Sequence, residues 1–407
     1  MIRILTDKDA PTLIRRKAVR LEEAERIVAP ILAAVRERGD AALLEYARKF
    51  DGFDGASVRM EVSGSLEPAF ERAVAVAANN IRQYAETQLP PEWFTDYPDG
   101  RRLGQIVRPL DAMGAYVPAG RYPLPSTLLM TVIPAQVAGV RTICVACPNP
   151  SREILGIAQW LGLPHLYRMG GAQAIAALAY GTETVPKVDR IVGPGNIYVA
   201  AAKKLIAGET GIDFVAGPTE IVIIAADGDP RWIAADLLAQ AEHDVDASAI
   251  LLTTSKSLAE AVAKEVEVQL ATLLTAAVAR PSIENNGAIV VLETLEQAME
   301  ISNALAPEHL ALHDETLLEK VRHAGAVFVG ASSPESAGDY ASGPNHVLPT
   351  SGAARLRGGL SAADFVKVIA VQQLSPEGLA KLTPAITALA RAEGLEAHAR
   401  SAEVRGE

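Results

Sequence analysis

The chain of 407 residues has little cysteine, few aromatic residues and no excess of basic residues. Its two cysteines, Cys144 and Cys147, exclude a disulfide framework and favour a reducing compartment, so we expect a cytoplasmic protein. With 49 acidic and 38 basic residues the formal net charge is −11, which argues against a general binder of nucleic acid or of anionic membranes. No apolar run approaches the ~20 residues of a membrane span, and the N-terminal sequence has no apolar signal-peptide core. The sequence therefore predicts that the protein binds neither nucleic acid nor membranes.

Aliphatic residues are abundant: hydrophobic residues make up 49% of the chain, but aromatic residues only 5%. From about residue 113, short apolar runs alternate with helical segments, as in TICVACP followed by SREILGIAQWLG. The alternation resumes after GPTE and continues through IVIIAAD, ASAILLTT and GAIVVLE. This pattern is typical of βα units around parallel sheets. We therefore expect an α/β fold with two lobes.

The two ends of the chain are predicted to be mainly helical. Residues 21–38 place apolar side chains at three- and four-residue spacings, with Pro30 as a kink. A further helical stretch ends before Pro90. From Asp364 onwards, the segments DFVKVIAVQQL and PEGLAKLTPAITALARAEGLEAHAR are both predicted as helices.

Two glycine turns follow predicted strands. The turn GPGN, which ends at Asn196, leads into a predicted helix, and Gly170–Gly171 precedes another helix that carries Gln173 in its first turn. Glycines there allow a tight turn and let helix N-terminal amides face an anion such as a pyrophosphate. The GPGN turn lacks the third glycine of the usual dinucleotide fingerprint, so an ordinary βα turn explains it equally well. Two such turns at the carboxyl ends of strands would nevertheless form the crevice that open α/β sheets use for ligands.

Residues that could bind a metal are few, since the chain has only seven histidines. Gln240 and His243 lie three positions apart on a predicted helix, Asp339 lies in a predicted polar loop, and His398 lies in the terminal segment. Two imidazoles, a carboxylate and an amide oxygen suit a divalent ion such as Zn²⁺. Spacing alone does not bring these four residues together, and a structural role for each histidine stays open.

Two further pairs could carry chemistry. Glu308 and His309 are adjacent where an apolar strand begins, and a carboxylate beside an imidazole suits proton removal and activation of water. A solvated loop is the alternative for this pair. Cys144 and Cys147 have the spacing of a redox motif, but they lie in a predicted buried strand, where they would point to opposite faces. Thiol chemistry is therefore not expected.

Taken together, these segments resemble the histidinol dehydrogenase family, and the resemblance runs over nearly the whole chain. The matching segments are GAYVPAGRYPLPS, MGGAQAIAALAYGTE, VGPGNIYVAAAKKLIAG, GIDFVAGPTE, DLLAQAEHD, APEHLAL, ESAGDYASGPNHVLPT and LSAADFVK. Enzymes of that family oxidise L-histidinol through L-histidinaldehyde to L-histidine, in the last steps of histidine biosynthesis. They reduce two NAD⁺ and hold one Zn²⁺ per active site. The resemblance implies a zinc-dependent, NAD-linked oxidoreductase with L-histidinol as its small-molecule substrate.

The resemblance also implies a role for individual residues. It implies that Glu308 and His309 are catalytic: His309 takes the hydroxyl proton and Glu308 activates water. The implied metal ligands are Gln240, His243, Asp339 and His398. The implied NAD contacts are Tyr116, Gln173 and Asn196. The implied substrate contacts are Thr219, Gln240, His243, His309, Asp339, His346, Glu393 and His398.

The family architecture implies two incomplete Rossmann-like, doubly wound domains with mainly parallel sheets, plus helical N- and C-terminal extensions. The expected boundaries are an N-terminal extension at 1–20, a first α/β domain from 21–115 plus 219–360, a second, NAD-binding domain at 116–218, and a helical tail at 361–407. The tail is expected to be exchanged between the subunits of a homodimer, so that Glu393 and His398 of each chain reach the other subunit's site. The active sites would then be shared.

The sequence differs from the usual family sequence at two places, so a different substrate stays an alternative. Thr219 stands where the biosynthetic enzymes usually have serine, and Arg121–Tyr122 is not the commonest pair in its segment. Relatives in the family oxidise other primary alcohols, such as the sulfonated diol sulfopropanediol. His346 and Glu393 suit a substrate that carries an imidazole, and they favour histidinol.

Overall fold

The computed structural model describes residues 1–9, 13, 21–118 and 123–406. Part of the expected N-terminal extension, residues 10–12 and 14–20, and the pair Arg121–Tyr122 lie outside this range. The described strands are β1 Arg3–Thr6, β2 Arg59–Glu61, β3 Trp93–Asp96, β4 Arg101–Pro109, β5 Ala112–Tyr116, β6 Thr142–Ala146, β7 His165–Tyr167, β8 Arg190–Val192, β9 Gly211–Ile212, β10 Glu220–Ile224, β11 Ser248–Thr253, β12 Ala288–Val291, β13 His309–Leu312, β14 Ala326–Val329 and β15 Val366–Leu374.

The described α-helices are α1 Glu22–Arg38, α2 Asp40–Asp51, α3 Pro68–Thr87, α4 Pro125–Ala138, α5 Arg152–Trp160, α6 Gly171–Tyr180, α7 Ile197–Ile206, α8 Pro230–Ala241, α9 Lys256–Leu270, α10 Ala276–Asn286, α11 Leu295–Leu305, α12 Glu335–Tyr340, α13 Pro376–Ala392 and α14 Glu396–Glu403. Short 3₁₀ helices lie at Asp7–Asp9, Glu315–Lys320, Ala353–Arg355 and Ala362–Phe365. Among the described residues, no helix has the length and apolar character that crossing a membrane requires.

One α/β unit, which we name the N-lobe, is built on the sheet β2-β7-β6-β5-β8-β9. Its strands are parallel except for β2, which runs antiparallel to β7. Helices α1, α2, α6 and α7 cover one face of this sheet, and α3, α4 and α5 cover the other. Cys144 belongs to the first of these cores and Cys147 to the second, so the two thiols point to opposite faces of β6, as predicted.

The second unit, which we name the C-lobe, is built on the parallel sheet β1-β12-β11-β10-β13-β14. Helices α8, α9 and α10 pack on one face of the sheet and α11 on the other. The strand order reverses between β10 and β13, as in doubly wound folds. The two lobes confirm the expected α/β class with mainly parallel, Rossmann-like sheets.

Sheet membership differs from the expected domain boundaries. Residues 21–115 were expected to join 219–360, but β2 and β5 pair within the N-lobe sheet, and α1 packs on α6 and α7. The first strand, Arg3–Thr6, instead pairs with β12 in the C-lobe. Sequence could not reveal this grouping because it depends on pairings between strands that are far apart in the chain.

A third sheet and the last two helices form an arm, which we define as β3, β4, β15, α13 and α14. The predicted helix in DFVKVIAVQQL is wrong: Val366–Leu374 is the strand β15, which pairs antiparallel with β4 along nine residues. Its β-branched residues favour an extended backbone, and the partner strand lies more than 250 positions earlier in the chain. The described part of the tail, 361–406, is therefore a short 3₁₀ helix and a strand followed by two α-helices.

Candidate active site

The carboxylate and imidazole of Glu308 and His309 lie at the amino end of the C-lobe sheet. His309 is the first residue of β13, as predicted, and both residues are buried. The neighbouring strand β10 begins at Glu220, directly after Thr219. The chemistry-bearing side chains therefore gather at the end of the sheet opposite to the one that open α/β sheets usually offer to ligands.

A chain of hydrogen bonds orients Gln240 and Glu308. The Thr219 hydroxyl donates to Glu308 Oε2, and Gln240 Nε2 donates to Thr219 Oγ1 over 2.7 Å. The backbone N–H of Glu220 also donates to Glu308 Oε2, over 2.9 Å. Because the amide nitrogen of Gln240 is held by Thr219, its oxygen Oε1 is turned away; that atom is buried and has no hydrogen-bond partner.

The ring of His309 is fixed by its surroundings. Its Nδ1 lies 3.2 Å from the carbonyl oxygen of Glu220, which can only accept, so Nδ1 carries the proton. Its Nε2 lies 3.4 Å from Asp339 Oδ1, and Phe328 stacks on the ring with centroids 5.9 Å apart. In the neutral imidazole Nε2 is therefore the free base.

Asp339 and His346 join this cluster and connect it to the N-lobe. The expected polar loop around Asp339 is instead the short helix α12, because Glu335–Tyr340 closes a helical turn. His346 Nδ1 donates to the carbonyl oxygen of Asp339 over 2.8 Å, and its Nε2 lies 3.3 Å from the hydroxyl of Thr127 in the first turn of α4. That contact brings the amino end of the C-lobe sheet against the carboxyl end of the N-lobe sheet.

Burial and charge set the protonation of the cluster. Burial raises the pKa of the Glu308 carboxyl to about 7, despite the nearby His309 and the hydrogen bond from Thr219. Burial acts to lower the pKa of His309, but the neighbouring carboxylates, Glu308 first, outweigh it and raise that pKa to about 9. Burial lowers the pKa of both His243 and His346, which favours their neutral, metal-binding form.

At the carboxyl end of the N-lobe sheet, the first glycine turn lies between β8 and α7, as predicted. Gly193 has a φ of +110°, and a Cβ there would lie 2.2 Å from the carbonyl oxygen of Tyr116, so only glycine fits. Asn196 caps α7 by accepting the backbone N–H groups of Tyr198 and Val199. The turn thus presents a capped helix N-terminus at the edge of the sheet.

The second glycine turn lies between β7 and α6 and is held by residues from outside it. The Gly171 N–H donates to the hydroxyl of Tyr116 over 3.1 Å. Asp51 Oδ2 accepts from the Gly170 N–H over 2.9 Å and from Gln173 Nε2 over 3.1 Å. Tyr116 and Gln173 therefore both contact the second turn, and the backbone of Tyr116 also packs against Gly193 of the first turn.

The structure brings seven of the predicted site residues together and places the three predicted NAD contacts at the glycine turns. The residues gathered at the amino end of the C-lobe sheet are Thr219, Gln240, His243, Glu308, His309, Asp339 and His346. Glu393 and His398 are exposed on the arm, and no contact in the described part of the chain joins them to this cluster. Within the described residues of one chain, no three His, Cys, Asp or Glu side chains form a group that could hold a metal ion.

Sequence reasoning missed Asp51, Thr127 and Phe328. Thr127 had only a weak signal, as one of the few polar residues in a mainly apolar helix. Asp51 ends α2, and nothing near it in the sequence connects it to a turn 119 residues later. Phe328 stacks on His309 only because β14 pairs beside β13.

The family model of histidinol dehydrogenase matches residues 14–406 of the chain. The chain belongs to the histidinol dehydrogenase family. Its relatives include the histidinol dehydrogenase of Geobacillus kaustophilus, with 51% identity over 94% of both chains, and that of Halalkalibacterium halodurans, with 47% identity over 99% of both. The solved histidinol dehydrogenase from Elizabethkingia anophelis superposes with a TM-score of 0.94 at 36% identity, covering 99% of this chain and 98% of that one.

A more distant solved structure shares the fold alone. An acetylating aldehyde dehydrogenase from Geobacillus thermoglucosidasius superposes with a TM-score of 0.51 at 14% identity, covering 91% of this chain and 95% of that one.

Membership of the histidinol dehydrogenase family assigns the chain to the oxidoreductases.

The side-chain atoms at the amino end of the C-lobe sheet are of the types that bind zinc. Gln240 Oε1 is buried and has no hydrogen-bond partner, so it is available to bind a cation or a hydrogen-bond donor. Burial acts to raise the pKa of Asp339, but hydrogen bonding and charge from His309 outweigh it and keep the group a carboxylate. With a neutral His243 beside them, these groups supply the N and O ligands that Zn²⁺ accepts.

Proposed function

We propose that the protein oxidises L-histidinol to L-histidine in two steps, with Zn²⁺ and NAD⁺. The observation that carries the proposal is the cluster at the amino end of β10 and β13. There, the Nε2 of His309, which is the free base in the neutral imidazole, and the unpartnered Oε1 of Gln240 lie beside Asp339. Membership of the histidinol dehydrogenase family supports the same conclusion.

Each implied group has named residues to hold it. Gln240, His243 and Asp339 would hold Zn²⁺, which would supply a fixed point for the amine and imidazole of the substrate. Tyr116, Gln173 and Asn196 at the two glycine turns would hold NAD⁺, which accepts the hydride in each step. Carboxylates at the site complement a substrate that carries positive charge.

In the first step, His309 removes the proton of the substrate hydroxyl. Its Nδ1–H is held by the Glu220 carbonyl, so in the neutral imidazole Nε2 would accept that proton as NAD⁺ takes up the hydride. Because the pKa of His309 is about 9, this neutral form is more populated at alkaline pH. The alcohol would become an aldehyde, with its hydride accepted by NAD⁺ and its hydroxyl proton passed to His309. Asp339 lies 3.4 Å from Nε2 and stabilises the imidazolium that forms.

In the second step, Glu308 activates water. Its carboxyl has a pKa of about 7 because it is buried, so at neutral pH it can accept a proton from water that adds to the aldehyde. The resulting hydrate would lose a second hydride, which NAD⁺ would accept, and its two hydroxyl protons, and so become the carboxylate. Keeping the aldehyde bound between the steps avoids its release to solvent.

We also propose that the arm completes the site of a second subunit in a homodimer. Glu393 and His398 are exposed on the arm, away from the cluster of their own chain. The outer surface of the arm carries apolar side chains that solvent would otherwise contact, including Trp93, Phe94, Val368 and Leu389. A partner chain would cover this surface, and His398 of this chain would be the fourth zinc ligand in the partner's site.

Counting NADH per substrate tests the reaction. The proposal predicts two NADH per L-histidinol, no turnover after chelation, and recovery with added Zn²⁺. Turnover of sulfopropanediol without turnover of histidinol would favour the alternative substrate class. No NADH from either alcohol with the zinc-loaded protein would contradict the proposal.

Mixing two inactive variants tests the shared site. His309→Asn and His398→Asn are each expected to be inactive, but a mixed dimer pairs an intact His309 with an intact His398 at one of its two sites. After subunit exchange, activity should return to about a quarter of the wild-type level. If mixing restores no activity although dimers exchange, His398 acts within its own chain or not at all.

A further inference from the structure

A buried ion pair lies beneath the first glycine turn and is not part of any role assigned above. Lys203 in α7 and Asp213 after β9 are 2% and 5% exposed, and the Lys203 ammonium contacts Asp213 Oδ1. Neither residue reaches the cluster around His309. Because a charge in a protein interior is costly unless it is paired, the two side chains depend on one another.

The pair holds both polar backbone groups of Gly193. Asp213 Oδ2 accepts from the Gly193 N–H over 2.8 Å, and Lys203 Nζ donates to the Gly193 carbonyl oxygen over 2.9 Å. Gly193 sits at φ +110° against the backbone of Tyr116, a conformation that side chains rarely permit. Two charge-assisted hydrogen bonds therefore fix the one residue on which the direction of the turn depends.

Asp213 is itself anchored on its far side. Its Oδ1 also accepts from the Phe214 N–H over 2.6 Å, and Arg357 donates to its backbone carbonyl over 2.7 Å. Arg357 in turn pairs with Asp364. The turn is thus connected through Asp213 to the segment that precedes β15.

Charge balance gives Lys203 a second role. An uncompensated carboxylate buried directly behind a turn that receives a dinucleotide would repel its phosphates. The Lys203 ammonium cancels that charge while leaving Asp213 able to accept the turn's N–H. This explains why a lysine, which rarely lies fully buried, occupies this position.

We propose that Lys203 and Asp213 are positioning residues for the dinucleotide: together they fix the Gly193–Asn196 turn and neutralise the charge behind it. The proposal rests on the proposed function, because it requires that this turn binds NAD⁺. It concerns no residue of the metal cluster, so its effect should appear in cofactor binding and not in metal content.

The variant Lys203→Met tests it, with Lys204→Met as the matched control. Lys204 is the next residue in α7, but it is half exposed and pairs with Glu25 at the surface. By isothermal titration of the zinc-loaded protein without histidinol, Lys203→Met should weaken NAD⁺ binding by about tenfold or more, and Lys204→Met by less than about twofold. In turnover, KM for NAD⁺ should rise while KM for histidinol and the zinc content stay unchanged.

A second variant covers the case in which Lys203→Met does not fold. In the double variant Lys203→Met/Asp213→Asn no unpaired charge is buried, and asparagine can still accept from Gly193, but the bond to the Gly193 carbonyl is lost. NAD⁺ binding should still be weaker than in the wild type.

The outcomes separate the two proposals. A folded Lys203 variant that binds NAD⁺ within twofold of the wild type overturns the role of the pair. A wild-type protein that binds no NAD⁺ overturns the proposed function instead. A loss of zinc and of histidinol affinity together with NAD⁺ affinity would show a general structural role and would also overturn the positioning role.

Discussion

The two lobes have the same architecture, but they use opposite ends of their sheets. In the N-lobe the carboxyl ends of β7 and β8 carry the glycine turns. In the C-lobe the corresponding carboxyl ends border a cavity of about 480 Å³, lined by Ala226, Asp227, His313, Asp314, Glu315, Thr316 and Gly330. Those acidic residues would repel a phosphate. The C-lobe has instead placed its reactive groups at the amino ends of β10 and β13.

In the proposed function, the two Rossmann-like units share one reaction. The carboxyl end of the N-lobe sheet, suited to an anionic dinucleotide, lies against the amino end of the C-lobe sheet, suited to a cationic substrate and a metal. The contact between His346 and Thr127 joins the two ends. The strand β13 therefore offers a direct internal control, because His309 begins it and His313 directly follows it.

The largest expected effect is that of His309→Asn compared with His313→Asn. His309 begins β13 in the reactive cluster, whereas His313 follows the same strand at its other end. Replacing His309 should lower kcat by about 10²–10⁴-fold, because the hydroxyl proton loses its acceptor. Replacing His313 should leave kcat within about threefold. Steady-state kinetics check both, and equal effects would remove the distinction between the two ends.

A second pair of variants compares the turns of the two lobes. Gly193 and Gly330 both have positive φ, but a Cβ at Gly193 would meet the Tyr116 carbonyl at 2.2 Å, whereas one at Gly330 would meet nothing within 4 Å. Gly193→Ala should therefore reduce the free energy of unfolding by about 1–3 kcal/mol more than Gly330→Ala. Urea unfolding measures the difference. If both variants lost the same free energy of unfolding, the backbone of the first turn would have to accommodate a Cβ without destabilising the protein.

A third comparison concerns Thr219, which orients both Gln240 and Glu308. Thr219→Val removes the hydroxyl and frees the Gln240 amide to rotate, so zinc affinity should fall by about 10–100-fold. Thr219→Ser keeps the hydroxyl and should stay close to the wild type. Competition with a chromogenic chelator measures the affinity. If valine and serine behave alike, Thr219 does not orient Gln240.

The smallest effect is expected from carboxylates of the C-lobe. Burial raises the pKa of Asp236 to about 6, so between about pH 4 and 6 the folded state binds a proton that the unfolded state has lost. Stability contributed by this group is thus lost as pH rises, and Asp236→Asn should raise the free energy of unfolding at pH 7.5 by about 1 kcal/mol, but not at pH 4.

The exposed Asp314 provides the opposite control. Its hydrogen bonds to Thr316 lower its pKa, so its contribution is present at neutral pH and is lost as pH falls. Asp314→Asn should therefore lower stability at pH 7.5. Urea unfolding at the two pH values compares both variants, and a gain in stability from Asp314→Asn, or none from Asp236→Asn, would contradict the assignment.

Local sequence patterns were sufficient for the parts of the site that depend on single βα units. Both glycine turns lie at the predicted strand ends, and His309 begins a strand, because apolar runs and glycines are local signals. Strand β15 was mistaken for a helix because its partner β4 is distant in the chain. Asp51 and Thr127 were missed for the same reason: their contacts arise only when distant elements pack.

The roles of Gln240, Asp339 and His398 came from family resemblance and not from spacing. The structure brings the first two into one cluster and leaves His398 on the arm. No local pattern connects a residue near the C-terminus with this cluster, and the role proposed for His398 requires a second subunit.

The most direct test of the central claim is a crystal structure of the zinc-loaded protein with NAD⁺ and L-histidinol. The account predicts the dinucleotide at the Gly193–Asn196 turn of the N-lobe, with the substrate hydroxyl beside His309 at the amino end of β13. A dinucleotide bound instead in the cavity beside Asp227 and His313, at the carboxyl end of the C-lobe sheet, would contradict it.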